Sequence, residues 1–391
     1  MSINEFVEKY QRERCQTNAL KWDALAERFG DADLLPLWVA DMEFAAPEAV
    51  TEALTKRIAH GVFGYSLVDD QYFDTYLGWQ KRHENTPFKR EWLSFSTGVV
   101  QALYDLVDCF TKEGEAVMIQ RPVYYPFSNA IKDKNRQLVN SPLVNVDGHY
   151  YMDLADFEAK IVENQVKLFI LCSPHNPVGR VWTEKELADV LAICQKHQVL
   201  VIADEIHSDF IMPGYQFTSA ISVANGAYLD QLIVLNAPSK TFNLASLLNS
   251  HIWIPNEALR KQYRTWASKN RQTESSMLGQ VAAKAAYANG DDWLASLIEV
   301  IAANYQTVRT RLAQEAPQVK VGQLEGTYLL WLDLRQAIDE NQVKTVIQDK
   351  AKLAVDFGSW FDQDSKGFIR LNLATTPAII HQAIDQLVAS L

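Results

Sequence analysis

Between Val117 and Leu235 the chain repeats one alternation: a short, almost wholly apolar run, then a stretch with helical spacing. The runs Val117–Gln120, Lys167–Cys172, Val199–Ala203 and Leu232–Leu235 are too short for independent helices and lack the polar alternation of a half-solvated sheet, so they read as strands buried on both faces. Among the intervening segments, Thr183-Glu-Lys-Glu186 is a capping box that opens an amphipathic helix running to about His197. Strands that alternate with helices leave few architectures open, and the simplest is a parallel sheet covered by helices. His251-Ile-Trp-Ile-Pro255, after a short connection, is expected as an antiparallel member of the same sheet.

The flanks read differently. Asn4 precedes apolar residues at helical spacing, Leu35–Met42 reads as extended, and residues 47–60 and 69–85 read as helices joined by a turn at Gly61–Gly64. A helical stretch is expected from about Pro255 to Ala288 and another from Asp291 to Ala313, with strands at Thr327–Leu334 and Phe368–Leu373 beyond them. The 391 residues therefore divide into a large three-layer α/β domain with a mainly parallel sheet, residues 48–285, and a smaller α+β domain that combines residues 1–47 with 286–391.

Composition removes whole classes. A net charge of −11 makes the chain a poor non-specific nucleic-acid binder. No GxGxxG follows a strand, and the eight histidines show no metal-ligand spacing, so neither a dinucleotide fold nor a metal centre is predicted. Charges in the first fifteen residues argue against a signal peptide, and the longest charge-free stretch, Asp209 to Asp230, is interrupted by Pro213, Gly214, Asn225 and Gly226, so no membrane partner is expected. Cys15, Cys109, Cys172 and Cys194 form no CxxC pair and read as small, partly buried hydrophobes of a cytoplasmic protein.

Ligands of open parallel sheets bind beyond the carboxyl ends of the strands, so the residues just past each run matter most. Ser173-Pro-His-Asn-Pro-Val-Gly179, Asp204-Glu-Ile-His207 and Asn236-Ala-Pro-Ser-Lys240 bring Asn176, Asp204, His207, Ser239 and Lys240 to one crevice. A lysine there is costly as an isolated cation but well suited to forming a Schiff base with an aldehyde. Asp204 needs a positive partner, which a protonated pyridine nitrogen supplies, and Asn176 and His207 offer donors to a phenolate oxygen. The set describes a site for pyridoxal 5′-phosphate. Ser96-Thr-Gly98 opening an apolar helix offers the phosphate its amides, and Tyr124 or Tyr125 offers a ring to stack on the cofactor. His175 reads more readily as a loop histidine than as a substrate contact.

With these residues in place, the chain resembles the fold-type I, aminotransferase-like pyridoxal-phosphate enzymes, and within them the PatB/MalY-type C–S lyases (cystathionine β-lyase-like). The resemblance rests on Leu37-Trp-Val-Ala-Asp-Met-Glu-Phe44, Phe63-Gly-Tyr-Ser66, Ser173–Arg180, Asp204-Glu-Ile-His-Ser-Asp209, Pro238–Leu244 and Arg370-Leu-Asn-Leu-Ala374, spread over nearly the whole chain. It implies that Lys240 is the Schiff-base lysine, Asp204 the partner of the ring nitrogen and Asn176 the partner of the ring oxygen, with His207 where most aminotransferases carry Tyr. It further implies Tyr124 as the stacking ring, the Val99 and Val100 amides with Ser239 as the phosphate cup, and Tyr65 reaching that cup from a second subunit of a homodimer. Arg370 becomes the clamp for the substrate α-carboxylate, and Asp41-Met42 and Glu325-Gly-Thr-Tyr328 are expected around the distal pocket, with Trp38 near the substrate. Two positions depart from the family pattern: Leu248 stands where many relatives have a phosphate-neutralising Arg, and Ser246 where many have Gly.

The activity implied is α,β-elimination from an L-amino acid with sulfur at Cβ, giving pyruvate, ammonia and a thiol, with Lys240 as the base at Cα. The same groups serve an aminotransferase, in which the proton returns to the cofactor, and a pyridoxal-phosphate-binding regulatory protein with little turnover is the remaining alternative.

Overall fold

The computed structural model describes residues 1–272 and 275–391. Seven strands form the large sheet: β1 Leu93–Ser96, β2 Ala116–Ile119, β3 Gln137–Asn140, β4 Leu168–Cys172, β5 Leu200–Asp204, β6 Leu232–Asn236 and β7 Ser250–Trp253. Their order is β1-β7-β6-β5-β4-β2-β3, and β7 runs antiparallel to both of its neighbours while β2 to β6 pair in parallel.

Alternate residues of β4 explain why the run is apolar throughout. Leu168, Ile170 and Cys172 face a layer built on helix Val99–Phe110, with Ala102, Leu103, Leu106 and Val107. Phe169 and Leu171 face the opposite layer, with Trp182, Leu187, Val190 and Leu191 of the capped helix Glu184–Lys196. Two covered faces leave no place for polar side chains until the strand ends.

The smaller sheet is antiparallel and ordered β8-β9-β11-β10, with β8 Lys320–Val321, β9 Leu329–Asp333, β10 Asp356–Phe357 and β11 Phe368–Asn372. Helices Asp291–Glu315 and Pro377–Ser390 pack beside it, and Asn304 ties them in by donating to the Leu373 and Thr375 carbonyls at 3.0 and 2.8 Å.

Three expectations need correction. The stretch from Pro255 to Ala288 is two helices, Glu257–Lys269 and Met277–Asn289, because the Ser276 hydroxyl caps a new start by accepting from the Gly279 amide. The extended segment Leu35–Met42 pairs only over Leu35–Pro36, in parallel with Leu353–Ala354, and then becomes an irregular strap. Asn372 Nδ2 holds that strap through the Val39 and Asp41 carbonyls, both at 2.6 Å, and Asn243 Nδ2 holds it through the Met42 and Phe44 carbonyls at 3.1 and 3.0 Å. Cys15 is exposed, since it lies in the irregular chain after the first helix.

Candidate active site

The loops after β4, β5 and β6 converge, with the strap and the start of helix Val99–Phe110, on a cavity of ≈170 Å³. It is lined by Ala40, Thr97, Gly98, Val99, Val100, Tyr124, Cys172, Asn176, Asp204, Ile206, His207, Ser239, Lys240, Ala245 and Asn249. Lys240, Asp204, His207, Asn176, Tyr124, Val99, Val100 and Ser239 are thus brought together as the sequence predicts. Thr97, within the predicted phosphate-binding turn, joins them, and so does Asn249, which was unforeseen. The signal for Asn249 lay in β7: a strand antiparallel to both of its neighbours begins at the end where they finish.

Burial sets the electrostatics. Lys240 is pushed down to about 8 by desolvation and then by the charge of Arg370, and its Nζ donates to the Ala40 carbonyl at 2.6 Å. Asp204 is pushed up to about 7 by desolvation, partly offset by the Ile206 amide at 3.1 Å and by Lys240. His207 is held well below the usual imidazole range by burial and by the Lys240 and Arg370 charges, and its Nδ1 has no hydrogen-bond partner among the described residues. Burial likewise raises the Tyr124 hydroxyl. The helix Val99–Phe110 starts at Gly98 with no side-chain cap and no acidic residue in its first turn, so its first amides and its positive dipole end face the cavity unopposed.

These residues fit pyridoxal 5′-phosphate. The cavity combines a lysine shifted toward neutrality, a buried carboxyl awaiting a cation, an unpartnered imidazole nitrogen and uncapped helix amides, which match the aldehyde, ring nitrogen, ring oxygen and phosphate of that molecule.

Arg370, on β11, lies just behind Asn176, whose Oδ1 accepts from its Nη1 at 3.0 Å. Tyr328 donates to the same Ala40 carbonyl as Lys240, at 2.8 Å, and sets its ring edge-on to His207 at 5.7 Å.

Other predicted residues lie elsewhere. The Asp41 carboxylate turns away from the cavity into a two-point contact with Arg14 at 2.8 and 2.6 Å, since the strap presents the Ala40 carbonyl inward instead. Glu325 is buried against Arg180 at 2.9 Å, and the Trp38 indole donates to the Lys21 carbonyl at 2.9 Å, so only the Trp38 carbonyl approaches the site, through Arg370 at 3.0 Å. His175 is buried and bonded to the Pro122 carbonyl at 3.0 Å, pushed down to about 4 by desolvation, as befits a loop histidine. Tyr125 packs toward Phe361 rather than lining the cavity. Tyr65 is fully exposed and contributes nothing to the cavity of its own chain.

Residues 32–387 match the family of class I and II aminotransferases. The chain is 37% identical to cystathionine beta-lyase PatB of Bacillus subtilis, over 97% of this chain and 98% of that protein. It is 31% identical to protein MalY of Escherichia coli, over 96% of each. Cystalysin from Treponema denticola, solved with a pyridoxal 5′-phosphate cofactor, superposes with a TM-score of 0.93 at 34% identity, covering 97% of both chains.

Proposed function

This chain belongs to the class I and II aminotransferase family, on the branch of PatB and MalY, and from that premise we propose that it is a pyridoxal-phosphate-dependent C–S lyase acting on L-amino acids with sulfur at Cβ. The observation that carries the reading is the pairing of Lys240 and Asp204, each shifted toward neutrality, in one cavity of a chain similar over its whole length to a cystathionine β-lyase.

Lys240 would hold the cofactor's aldehyde, Asp204 its ring nitrogen, and Asn176 and His207 its ring oxygen, while Tyr124 stacks on the ring. The Val99 and Val100 amides and the Ser239 hydroxyl would hold the phosphate. With Leu248 fully outside the lining, helix amides and hydroxyls replace an arginine there. Bound there, the cofactor supplies an electron sink for the pair left when the Cα proton is removed.

The chain's own groups do the rest. Arg370 grips the α-carboxylate and so fixes which Cα bond faces the ring. The Lys240 amine, depressed to about 8 by burial, has a neutral fraction near neutral pH that an ordinary lysine lacks, and it takes the Cα proton at Nζ. The Ala40 carbonyl, within 2.6 Å of Nζ, keeps that amine aimed at the cavity. Asp204, as an anion beside a ring cation, keeps the ring nitrogen protonated. The Cβ–S bond then breaks with the sulfur leaving as a thiolate, which takes up a proton to become the thiol, and water hydrolyses the remaining three-carbon fragment to pyruvate and ammonia. We further propose that the chain works as a homodimer in which Tyr65 reaches the partner's phosphate site, and that residues 48–285 hold the cofactor while 1–47 with 286–391 form the clamp.

L-Cystathionine incubated with the loaded protein and no keto acid is expected to yield pyruvate and thiol in equal amounts. Dependence of turnover on an added keto acid would identify an aminotransferase instead. Lys240→Ala is expected to abolish both pyruvate release and the visible absorbance of the Schiff base between Lys240 and the cofactor; pyruvate release surviving that change would sink the assignment.

A further inference from the structure

The guanidinium read here as a substrate clamp already holds a carboxylate. Asp356 on β10 stands opposite Arg370 on β11, and its Oδ2 accepts from Arg370 Nη2. The same Nη2 donates to the Trp38 carbonyl at 3.0 Å, and Nη1 donates to Asn176 Oδ1 at 3.0 Å. Nε has no partner among the described residues. Arg370 is 2% exposed and Asp356 4%, so little water screens the pair.

A guanidinium grips a carboxylate with two parallel bonds along one of two edges, Nη1–Nη2 or Nη2–Nε. Both edges require Nη2, and both Nη2 hydrogens are engaged. A carboxylate arriving at Arg370 therefore has to share or displace a bond that Nη2 gives to Asp356 or to the Trp38 carbonyl, and of these two acceptors Asp356 alone competes with a charge. The other cations near Asp356 are Arg28, from the helix Leu25–Phe29, and Lys240, and the hydroxyls of Tyr124 and Tyr125 complete its titratable surroundings.

We infer that Asp356 is a specificity-determining residue: an internal carboxylate that competes with the substrate's α-carboxylate for Arg370 and so makes the site hold α-carboxylates loosely. The inference rests on the reading of Arg370 as the carboxylate clamp. Because Asp356 competes for bound substrate before and during reaction alike, its effect falls on KM more than on kcat. The pair was invisible in the sequence because the helix Gly358–Phe361 and the turn Gln363–Ser365 separate Asp356 from Arg370, and no strand is expected at Asp356–Phe357.

The test uses the cofactor-loaded protein. Asp356→Asn keeps the shape and removes the charge; it is expected to lower KM for L-cystathionine about tenfold. It is also expected to tighten binding of methylthiopropionate, a sulfur carboxylate with no amine to react, by about the same factor in calorimetry. An unchanged or raised KM would mean that Asp356 merely orients Arg370, and the inference falls. Removing the partner of a buried cation is destabilising, so the wild-type protein supplies a second measurement. Methylthiopropionate and its amide are expected to bind it within about threefold of each other, whereas an uncontested Arg370 would favour the carboxylate by more than about tenfold, overturning the inference. Arg370→Lys separates the clamp from its competitor. A KM raised more than about tenfold upholds the clamp whatever Asp356 does. Unchanged KM and probe affinity would remove the clamp, and the inference with it.

Discussion

Burial displaces the titration of both Asp204 and Lys240 from their ordinary ranges, and the cost is borne by the fold until a ligand relieves it. Between the carboxyl's ordinary value of 3.8 and about 7, the folded cofactor-free protein binds a proton at Asp204 that the unfolded chain has lost. Stability therefore falls as pH rises through that window, by up to about 4 kcal/mol if this group acted alone. Glu205, pushed up to about 8 by burial, adds a loss of the same sign. Lys240 acts in a different window: between about 8 and 10.5 the unfolded chain binds the extra proton, so stability recovers as pH rises there. Asp204→Asn is expected to flatten part of the acid-side slope in urea titrations of stripped protein and to raise its stability at pH 7, while abolishing lyase activity. A variant that loses stability at pH 7 would show that Asp204 is structurally satisfied without a cation. At this scale the site was largely legible, because side chains at strand ends announce themselves. Ala40 was not, since a backbone carbonyl serves there and any residue can supply one. Asp41, next to it, carried the visible charge but gives it to Arg14.

Among the elements, the segment Gln323–Thr327 links the small sheet to the loops of the large one. Glu325 and Gly326 amides donate to the Gly179 carbonyl at 2.9 and 3.0 Å, the Met212 amide to the Glu325 carbonyl at 2.9 Å, and the Thr327 amide to the Phe210 carbonyl at 2.8 Å. Gly179 has φ +74°, and a Cβ there would sit 3.1 Å from the Gln323 carbonyl oxygen, so only glycine allows this approach without strain. At the centre, Arg180 bonds Glu325 and Glu186, both at 2.9 Å, and packs its guanidinium 4.6 Å from the Trp182 ring centroid. Glu186 also closes the capping box of helix Glu184–Lys196, so one residue serves both local and tertiary structure. Glu325→Ala leaves a buried arginine half-paired and is expected to cost about 3–5 kcal/mol in denaturant unfolding. Through Tyr328, three residues on, it is also expected to depress kcat/KM; a loss below about 1 kcal/mol would show that Glu186 alone satisfies Arg180. The central strands were legible as unbroken apolar runs, and β7 was legible with its direction. The edge strands β1 and β3, Leu-Ser-Phe-Ser and Gln-Leu-Val-Asn, were missed, because an edge has fewer buried neighbours and tolerates polar residues.

On the whole molecule, the −11 charge says little about the site, which gathers its cations inside; the informative surface is apolar. Val62, Phe63, Tyr65 and Leu67 are exposed together in the irregular chain between helices Glu48–Ala59 and Asp70–His83. Beside them an open groove of ≈710 Å³ runs between those helices and Met277–Asn289. Large apolar side chains clustered in this way mark an interaction surface more often than a solvated one. The second copy proposed above would cover this surface, and it would also account for Tyr65, which the resemblance implies as a phosphate ligand, lying outside its own cavity. A two-fold dimer makes each site from two chains, and that can be tested by complementation. Lys240→Ala and Tyr65→Ala proteins are each expected to be severely impaired, the first completely. Unfolded and refolded together, the two variants form hybrids in which one site receives both altered residues and the other receives neither. Random pairing then restores about a quarter of wild-type sites, and lyase activity should return to about that level. If Tyr65 acted within its own chain, no hybrid would contain an unaltered site, and mixing would restore nothing.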